Sequence, residues 1–232
     1  MDPPSDSPIL AVCRSKVRAM RIRRWHIVAV CIATALVVAC VWMKSRPPQV
    51  AVPPPPPPTV SDLVTNRVGP PDIYPRTDLN PGLANPEITQ DNIAETICNK
   101  NWKTSSIRPP ASYTTNLKKE QITEYGFTDT NTKDYEEDHI ISLENGGHPR
   151  DPKNLYPEAY DTQVNGQRVG AHEKDELENY VHNGICLDVP NAKFSSGPKP
   201  PHSLTLEQGQ QILAIDWYKC YLRMKQRKDC LP

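Results

Sequence analysis

The sequence has no surplus of either charge, because 27 Lys and Arg residues balance 27 Asp and Glu residues among its 232 positions. Residues 76–232 are even mildly acidic, with 18 basic and 23 acidic side chains. This lack of basic charge excludes a domain that binds nucleic acid through a uniformly positive surface. Any polyanion must therefore be met by a local basic patch or by a metal ion.

Long apolar runs are scarce, and one segment is the exception. Residues 25–43 contain no Lys, Arg, Asp or Glu and match the span of about 17–25 residues that crosses a bilayer core. Six basic residues precede this segment and two follow it closely, so we expect residues 1–24 to stay in the cytoplasm. We predict a bacterial inner-membrane protein with a single anchor and its C-terminal domain outside the cytoplasm. A lipoprotein signal that starts at Met20 and lipidates Cys40 is the alternative.

Prolines crowd the next stretch. Residues 44–77 include the unbroken run Pro53–Pro58, which favours polyproline II and makes a stiff spacer. We therefore predict a proline-rich linker over residues 44–77 and a globular domain over residues 78–232.

The sequence has no Cys-x-x-Cys pair, which argues against a structural zinc knuckle. Export to an oxidising compartment favours disulfides among the four cysteines of the predicted domain. Four cysteines allow three pairings, of which we favour Cys98–Cys186 with Cys220–Cys230. Buried free thiols are the alternative.

The domain is predicted to be α+β and mainly helical. Helices are expected from Thr89 to Cys98, from Thr114 or Thr115 to Gly126, over residues 167–182, and from Thr205 to Tyr221. Thr205 and Gln208 have capping-box spacing, and Gly126 is suited to end the second helix. Two short strands are expected over residues 135–142 and 154–156, with Pro157 stopping the second.

Three residues suggest a catalytic site. Asp138 and His139 lie on the first predicted strand, and His172 lies on the third predicted helix. A carboxylate with an imidazole can hold a divalent ion, and a second, neutral imidazole can take a proton from water. Neighbouring strand residues point to opposite faces, so both Asp138 and His139 reach one site only where the strand ends or twists. The loop at Gly146–Gly147 favours such an ending.

The segments EEDHIISLENGG, DPKNLYPE and GAHEKDELEN occur in this order and resemble the ββα-metal motif of the HNH nucleases. In particular they are similar to small exported bacterial proteins with an HNH-like domain. The upstream segment from Thr96 to Gly126, and the later Cys186 and Trp217, also resemble that family, so the resemblance covers residues 86–218. It implies a mainly helical domain around a central ββα-metal motif.

The resemblance also implies roles for single residues. Asp138 would bind the metal, His139 would be the general base, Asn154 would hold the loop of His139, and His172 would be the helix ligand of the metal. Asn154 and His172 are eighteen residues apart, further than in compact HNH motifs, so the helix ligand has alternatives. These alternatives are His148, Asn165 and Glu176.

The implied cofactor is one divalent metal ion, with Mg²⁺ or Mn²⁺ favoured and Ni²⁺ or Zn²⁺ as alternatives. Arg150 and Lys174 are the main candidates for contacts with nucleic-acid phosphates. Further basic candidates are Lys153, Lys219, Arg223 and Arg227.

The predicted function is an exported, membrane-tethered endonuclease that hydrolyses DNA, or less favourably RNA, by a one-metal mechanism. The alternative is a non-catalytic, disulfide-stapled envelope module that uses the HNH-like motif as a scaffold. The acidic balance favours the module, whereas the presence of Asp138, His139 and Asn154 together favours the nuclease. The sequence identifies no protein partner.

Overall fold

The computed structural model describes residues 67–230. This part of the chain is a mixed α+β domain with three α-helices and two small antiparallel sheets, as expected for its class. The helices are α1 (Ala111–Tyr125), α2 (Ala171–Ile185) and α3 (Leu206–Lys225). The strands are β1 (Tyr135–His139), β2 (Leu155–Ala159), β3 (Thr162–Val164) and β4 (Gln167–Val169), paired as β1–β2 and β3–β4.

The predicted membrane segment, residues 25–43, and the proposed lipidation site Cys40 lie outside the described residues. Within residues 67–230, no helix has both the length and the apolar character needed to span a bilayer.

The domain begins earlier than predicted, because residues 67–77 pack on α3 and are not linker. Ile73 and Tyr74 are buried, and the indole of Trp217 donates a hydrogen bond of 3.0 Å to the Ile73 carbonyl. The Tyr74 hydroxyl lies 2.6 Å from Asp216 Oδ1, where α3 departs from helical geometry. The prolines of this stretch are typical of a linker, so the burial of Ile73 and Tyr74 was not predicted from the sequence.

The first predicted helix is shorter and tighter than expected. Only Gln90–Asn92 forms a 3₁₀ helix, and turns continue to Cys98. The Asn92 side chain accepts a hydrogen bond of 2.9 Å from the Thr89 amide and donates one of 2.9 Å to the Glu87 carbonyl. Such local side-chain bonds compete with regular helix formation.

The second predicted helix, α1, ends as expected but starts earlier. Gly126 takes a left-handed conformation with φ 70°, which a residue without Cβ adopts freely. The helix begins at Ala111, directly after Pro110, and not after Thr114 or Thr115. Proline is compatible with a helix start because the first amides have no helical partner.

The central hairpin is formed by β1 and β2. β1 is shorter than predicted because the Ile141 amide donates to the Asn154 side chain, at 3.0 Å, and not to a neighbouring strand. β2 continues through Pro157, which was expected to stop it and which lies opposite Glu137. In a two-stranded sheet each strand keeps an unpaired edge, where a missing amide hydrogen is tolerated.

A second hairpin, β3–β4, occupies the start of the predicted third helix. Its turn is Asn165–Gly166, with φ values of 51° and 78°. Asn-Gly is the strongest short hairpin signal, since both central residues of a type I′ turn need positive φ. The helix α2 therefore begins at Ala171, four residues later than predicted.

Helices α2 and α3 pack closely around Gly209. A Cβ at this position would lie 2.6 Å from Ile185 Cδ1 and 2.9 Å from Val181 Cγ1. The predicted capping box of α3 is confirmed, because the Gln208 amide donates to Thr205 Oγ1 at 3.1 Å and the Thr205 amide donates to Gln208 Oε1 at 2.9 Å.

Both favoured disulfides are present. Cys98–Cys186 joins the segment before α1 to the end of α2, and Cys220–Cys230 joins α3 to the segment after it. Cys98 and Cys186 are buried among the apolar residues between α2 and α3. The first bridge therefore fixes the helix that packs beside the central hairpin.

Candidate functional site

The central hairpin lies between two helices. On one side, Lys118 of α1 donates a hydrogen bond of 2.7 Å to the Tyr135 carbonyl of β1, and Gln121 donates one of 2.9 Å to the Leu155 carbonyl of β2. On the other side, Lys174 of α2 bonds to β1. The strand, strand and helix that the resemblance implies are thus adjacent, with the β3–β4 hairpin inserted before the helix.

The contact between β1 and α2 is a buried ion cluster. The Lys174 ammonium forms short ion pairs with Asp138 Oδ2 and Glu178 Oε1, and it donates a 2.9 Å hydrogen bond to the His139 carbonyl. Lys174 is only 1% exposed. An ammonium has three N–H donors, and all three are used here.

Lys174 was predicted to contact nucleic-acid phosphates, but in the described structure its ammonium is buried and paired with carboxyl groups. A buried ammonium whose donors are all committed offers nothing to a phosphate at the surface. Lys174 and Glu178 lie one helical turn apart on the buried side of α2.

The charges in the cluster are set by competition between burial and attraction. Burial opposes the charge on Lys174, but attraction to Asp138 and Glu178 outweighs it and raises the Lys174 pKa well above its ordinary value. Burial would likewise raise the Asp138 pKa, yet attraction to Lys174, together with hydrogen bonds from Glu158 and Lys174, outweighs it and holds that pKa below the usual range. The ionised pair of the cluster is therefore Asp138 with Lys174.

Two further carboxyl groups complete the cluster. Burial raises the pKa of Glu158 well above the usual value, which favours its protonated form. Burial also raises the pKa of Glu178, against the opposing attraction of the Lys174 ammonium. Glu158 lies on the same face of the hairpin as Asp138, since the two are two ladder positions apart across the strands. The Tyr156 hydroxyl interacts with the Glu158 carboxyl, and a protonated Glu158 can donate a hydrogen bond to Asp138.

His139 ends β1 and points away from this cluster. Its Nε2 lies 3.1 Å from the Pro149 carbonyl, which only accepts hydrogen bonds, so Nε2 carries the proton and Nδ1 is the basic nitrogen. No hydrogen bond from residues 67–230 reaches Nδ1. Burial lowers the His139 pKa, with a smaller contribution from the Arg108 charge, so the ring is neutral near neutral pH. The ring is 3% exposed.

Asn154 ties together the loop that follows His139. Its Oδ1 accepts from the Ile141 amide at 3.0 Å and from the Leu83 amide at 3.2 Å. Its Nδ2 donates to the Ile141 carbonyl at 2.9 Å and to the His148 carbonyl at 3.0 Å. Both ends of the loop are thereby held by one fully buried side chain, and a Cβ at Gly147 would lie 1.7 Å from the Ile141 carbonyl oxygen.

His172 does not join Asp138. Its ring is exposed and packs on Tyr160, with ring centroids 5.3 Å apart. Residues two apart on a helix point in different directions, so the presence of Lys174 at Asp138 places His172 elsewhere.

The alternatives to His172 are also engaged elsewhere. His148 Nδ1 accepts from the Asp151 amide at 2.9 Å, Glu176 pairs with Lys225 at 2.9 Å, and Asn165 forms the β3–β4 turn. Across residues 67–230, no three or more His, Cys, Asp or Glu side chains are grouped to hold a metal ion.

The donors therefore do not fit the metal that the resemblance implies. Asp138 is already neutralised by an ammonium, and the helix residue beside it is a lysine and not a ligand.

Arg108 is a functional candidate that the sequence reasoning did not single out. It lines two polar pockets, one of about 220 Å³ with Glu144, Asp175 and Glu178, and one of about 300 Å³ beside Glu137. Its charge also acts on His139. Arg108 lies within the segment from Thr96 to Gly126 that carries part of the resemblance, but no motif in that segment distinguishes it from other basic residues.

Arg150 lies exposed in the loop held by Asn154, and its carbonyl accepts a 2.6 Å hydrogen bond from the Tyr113 hydroxyl. Its side chain is placed where a polyanion can reach it, and its contact with nucleic acid stays a prediction.

No protein-family model, curated protein or solved structure matches the chain. The resemblance to HNH nucleases stays a prediction from the residues.

Proposed function

We propose that the described domain hydrolyses phosphodiester bonds of nucleic acid with His139 as the general base. The observation that carries this proposal is the position of the His139 ring. Its Nε2 proton is fixed by the Pro149 carbonyl, and Asn154 ties the following loop at both ends. A neutral, oriented imidazole is the group that general-base catalysis needs near neutral pH.

The chemistry follows from this orientation. Nδ1 of His139 takes a proton from water, the water oxygen bonds to phosphorus, and the bond from phosphorus to the leaving sugar oxygen breaks. The leaving oxygen takes a proton from solvent. The guanidinium of Arg108 offsets the negative charge that develops on the phosphoryl oxygens.

The proposed steps use the side chains of the domain and no metal ion. The HNH resemblance implies one Mg²⁺ or Mn²⁺ ion at Asp138 and His172, but the donors do not fit it. Asp138 and Asn154 therefore act as positioning residues. Lys174 holds Asp138, and Asn154 holds the loop that follows His139.

DNA is the favoured substrate, and RNA is the alternative. The proposed location of the domain is the outer side of a bacterial inner membrane. This location rests on the apolar segment 25–43 and its basic flank.

A non-catalytic envelope module is the second candidate, and two observations favour it. His139 is only 3% exposed, so little of its ring meets solvent. Asp138 is neutralised inside the cluster and is closed to a ligand. Such a module would use the same hairpin and disulfides as a scaffold.

The two candidates are separated by cleavage assays on the full chain in detergent, with plasmid DNA and with RNA. The nuclease predicts cleavage by the wild type and a loss of about 10²–10⁴-fold in His139→Ala, the usual contribution of a general base. His172→Ala is the matched control and is expected to keep its activity, since this ring is exposed on Tyr160. Absence of cleavage of either substrate by the wild type would favour the module.

A further inference from the structure

We propose that the Lys174 ammonium is the resident cation of the centre between β1 and α2, and that the native domain binds no divalent metal at Asp138. This inference depends on the proposed function only for its catalytic consequence, which is cleavage without added metal.

The first support is the set of atoms around the ammonium. Its partners are two carboxylate oxygens, from Asp138 and Glu178, and the backbone oxygen of His139. Oxygen atoms from carboxylates and carbonyls are the ligands that Mg²⁺ and Mn²⁺ prefer in proteins. The ammonium is therefore surrounded by oxygen atoms of the kind that bind hard cations. We call these three oxygens, from Asp138, Glu178 and the His139 carbonyl, the cage.

The second support is the position of the cage. The resemblance implies a metal held between the first strand and the helix, with Asp138 as one ligand. Lys174 reaches the same carboxylate from the helix, and it is almost completely buried. A divalent ion and an ammonium cannot share these oxygens, because two unscreened positive charges in a buried site repel strongly.

The third support is the free energy that would be lost if a metal ion displaced the ammonium from this cluster. Lys174 would have to leave a site in which each of its donors has a partner, and Asp138 and Glu178 would exchange that partner for the metal. Removing one partner from a buried ion pair is strongly destabilising, because it leaves a buried charge without compensation. The native cluster is thus complete without metal.

Binding of Mn²⁺ to the full chain in detergent tests this inference without any activity assay. The free Mn²⁺ signal in electron paramagnetic resonance is followed for the wild type and for Asp138→Asn. We expect the wild type and Asp138→Asn to bind little Mn²⁺, and to the same extent. Stoichiometric binding by the wild type that Asp138→Asn removes would overturn the inference.

Lys174→Met removes the ammonium and keeps a long apolar stem. We expect this variant to bind one Mn²⁺ per chain, and the double variant Lys174→Met with Asp138→Asn to lose that binding. A folded Lys174→Met that binds no Mn²⁺ would show that these oxygens form no cation cage, and would also contradict the inference. If Lys174→Met fails to fold without Mn²⁺ and folds with it, the inference is supported. If Lys174→Met fails to fold both with and without Mn²⁺ while the wild type binds no Mn²⁺, Lys174 is the cation that the fold requires, and the inference is again supported.

Failure of this inference is distinct from failure of the proposed function. Mn²⁺-dependent cleavage with binding at Asp138 would refute the inference and keep the nuclease. Absence of cleavage with the expected Mn²⁺ results would refute the nuclease and keep the inference.

Discussion

Lys174 of α2 and Asp138 of β1 form a buried ion pair across the contact between helix and hairpin, thirty-six positions apart in sequence. The same ammonium binds Glu178 and the His139 carbonyl. One side chain therefore links α2 to the strand that carries the proposed base.

Removal of the ammonium should destabilise the domain strongly. Lys174→Met leaves the Asp138 carboxylate buried without a counterion, and we expect a loss of about 3–5 kcal/mol in the free energy of unfolding. Urea denaturation in the absence of divalent metal measures this loss.

Lys225→Met is the matched control, since Lys225 pairs with Glu176 in an exposed position on α3. Exposed ion pairs contribute at most about 1 kcal/mol, so this variant should remain close to the wild type. An equal loss in both variants would contradict the special role of the buried pair.

Asn154→Ala should loosen the loop that follows His139. Four hydrogen bonds end on this side chain, and buried groups left without partners cost about 1–3 kcal/mol each. We expect lower stability and faster hydrogen exchange at the Ile141 amide.

Asn116→Ala serves as the control for that variant, because Asn116 is exposed on α1. It should leave exchange at Ile141 unchanged. Unchanged exchange in Asn154→Ala as well would show that the loop is held by other contacts.

The Glu137 carboxyl should make stability depend on pH. Burial raises the pKa of Glu137 to about 8. The folded state then binds the proton that the unfolded chain releases at its ordinary, lower pKa. Stability is present below that ordinary pKa and falls as pH rises through the interval up to about 8.

Glu137→Gln replaces the protonated carboxyl with a neutral group of similar shape. We expect its melting temperature to exceed that of the wild type above pH 8 and to match it in mild acid, with each kcal/mol worth about 2–4 °C in a domain of this size. The exposed Glu120→Gln should show no such crossover. A melting difference that stays constant with pH would contradict the assignment.

The two disulfides should contribute unequally. Cys98–Cys186 closes a sequence separation of 88 residues and Cys220–Cys230 one of 10. In the chain-entropy description a longer loop gives more stabilisation, about 3 kcal/mol for 15 residues and about 4.7 kcal/mol for 100. Replacing the first pair with alanines should therefore cost more in chemical unfolding than replacing the second. An equal cost, or a larger cost for the second pair, would indicate that packing and not loop closure dominates.

Features with a local signal could be predicted from the sequence. The Thr205 and Gln208 capping box, the helix end at Gly126 and the start of β1 at Tyr135 depend on residues close together in the chain. The number of cysteines in the domain and their expected export favoured two disulfides, but they left three pairings open, and only the fold brings Cys98 to Cys186 and Cys220 to Cys230.

Features that depend on distant partners could not be predicted. The charge at Lys174 fits a solvated helix face equally well, and only the fold brings Asp138 beside it. The β3–β4 hairpin did have a local signal in Asn165–Gly166, but the apolar residues at helical spacing that follow this pair favoured one helix from residue 167. The role expected of His172 came from the resemblance, and the fold places Lys174 of the same helix beside Asp138.

The most direct test of the proposed centre is the initial rate of plasmid cleavage by the full chain in excess chelator. His139 as base and Lys174 as resident cation together predict that the wild type still cleaves, and that His139→Ala loses this cleavage while His172→Ala keeps it. Cleavage that stops in chelator, or that survives in His139→Ala, would contradict this chemistry.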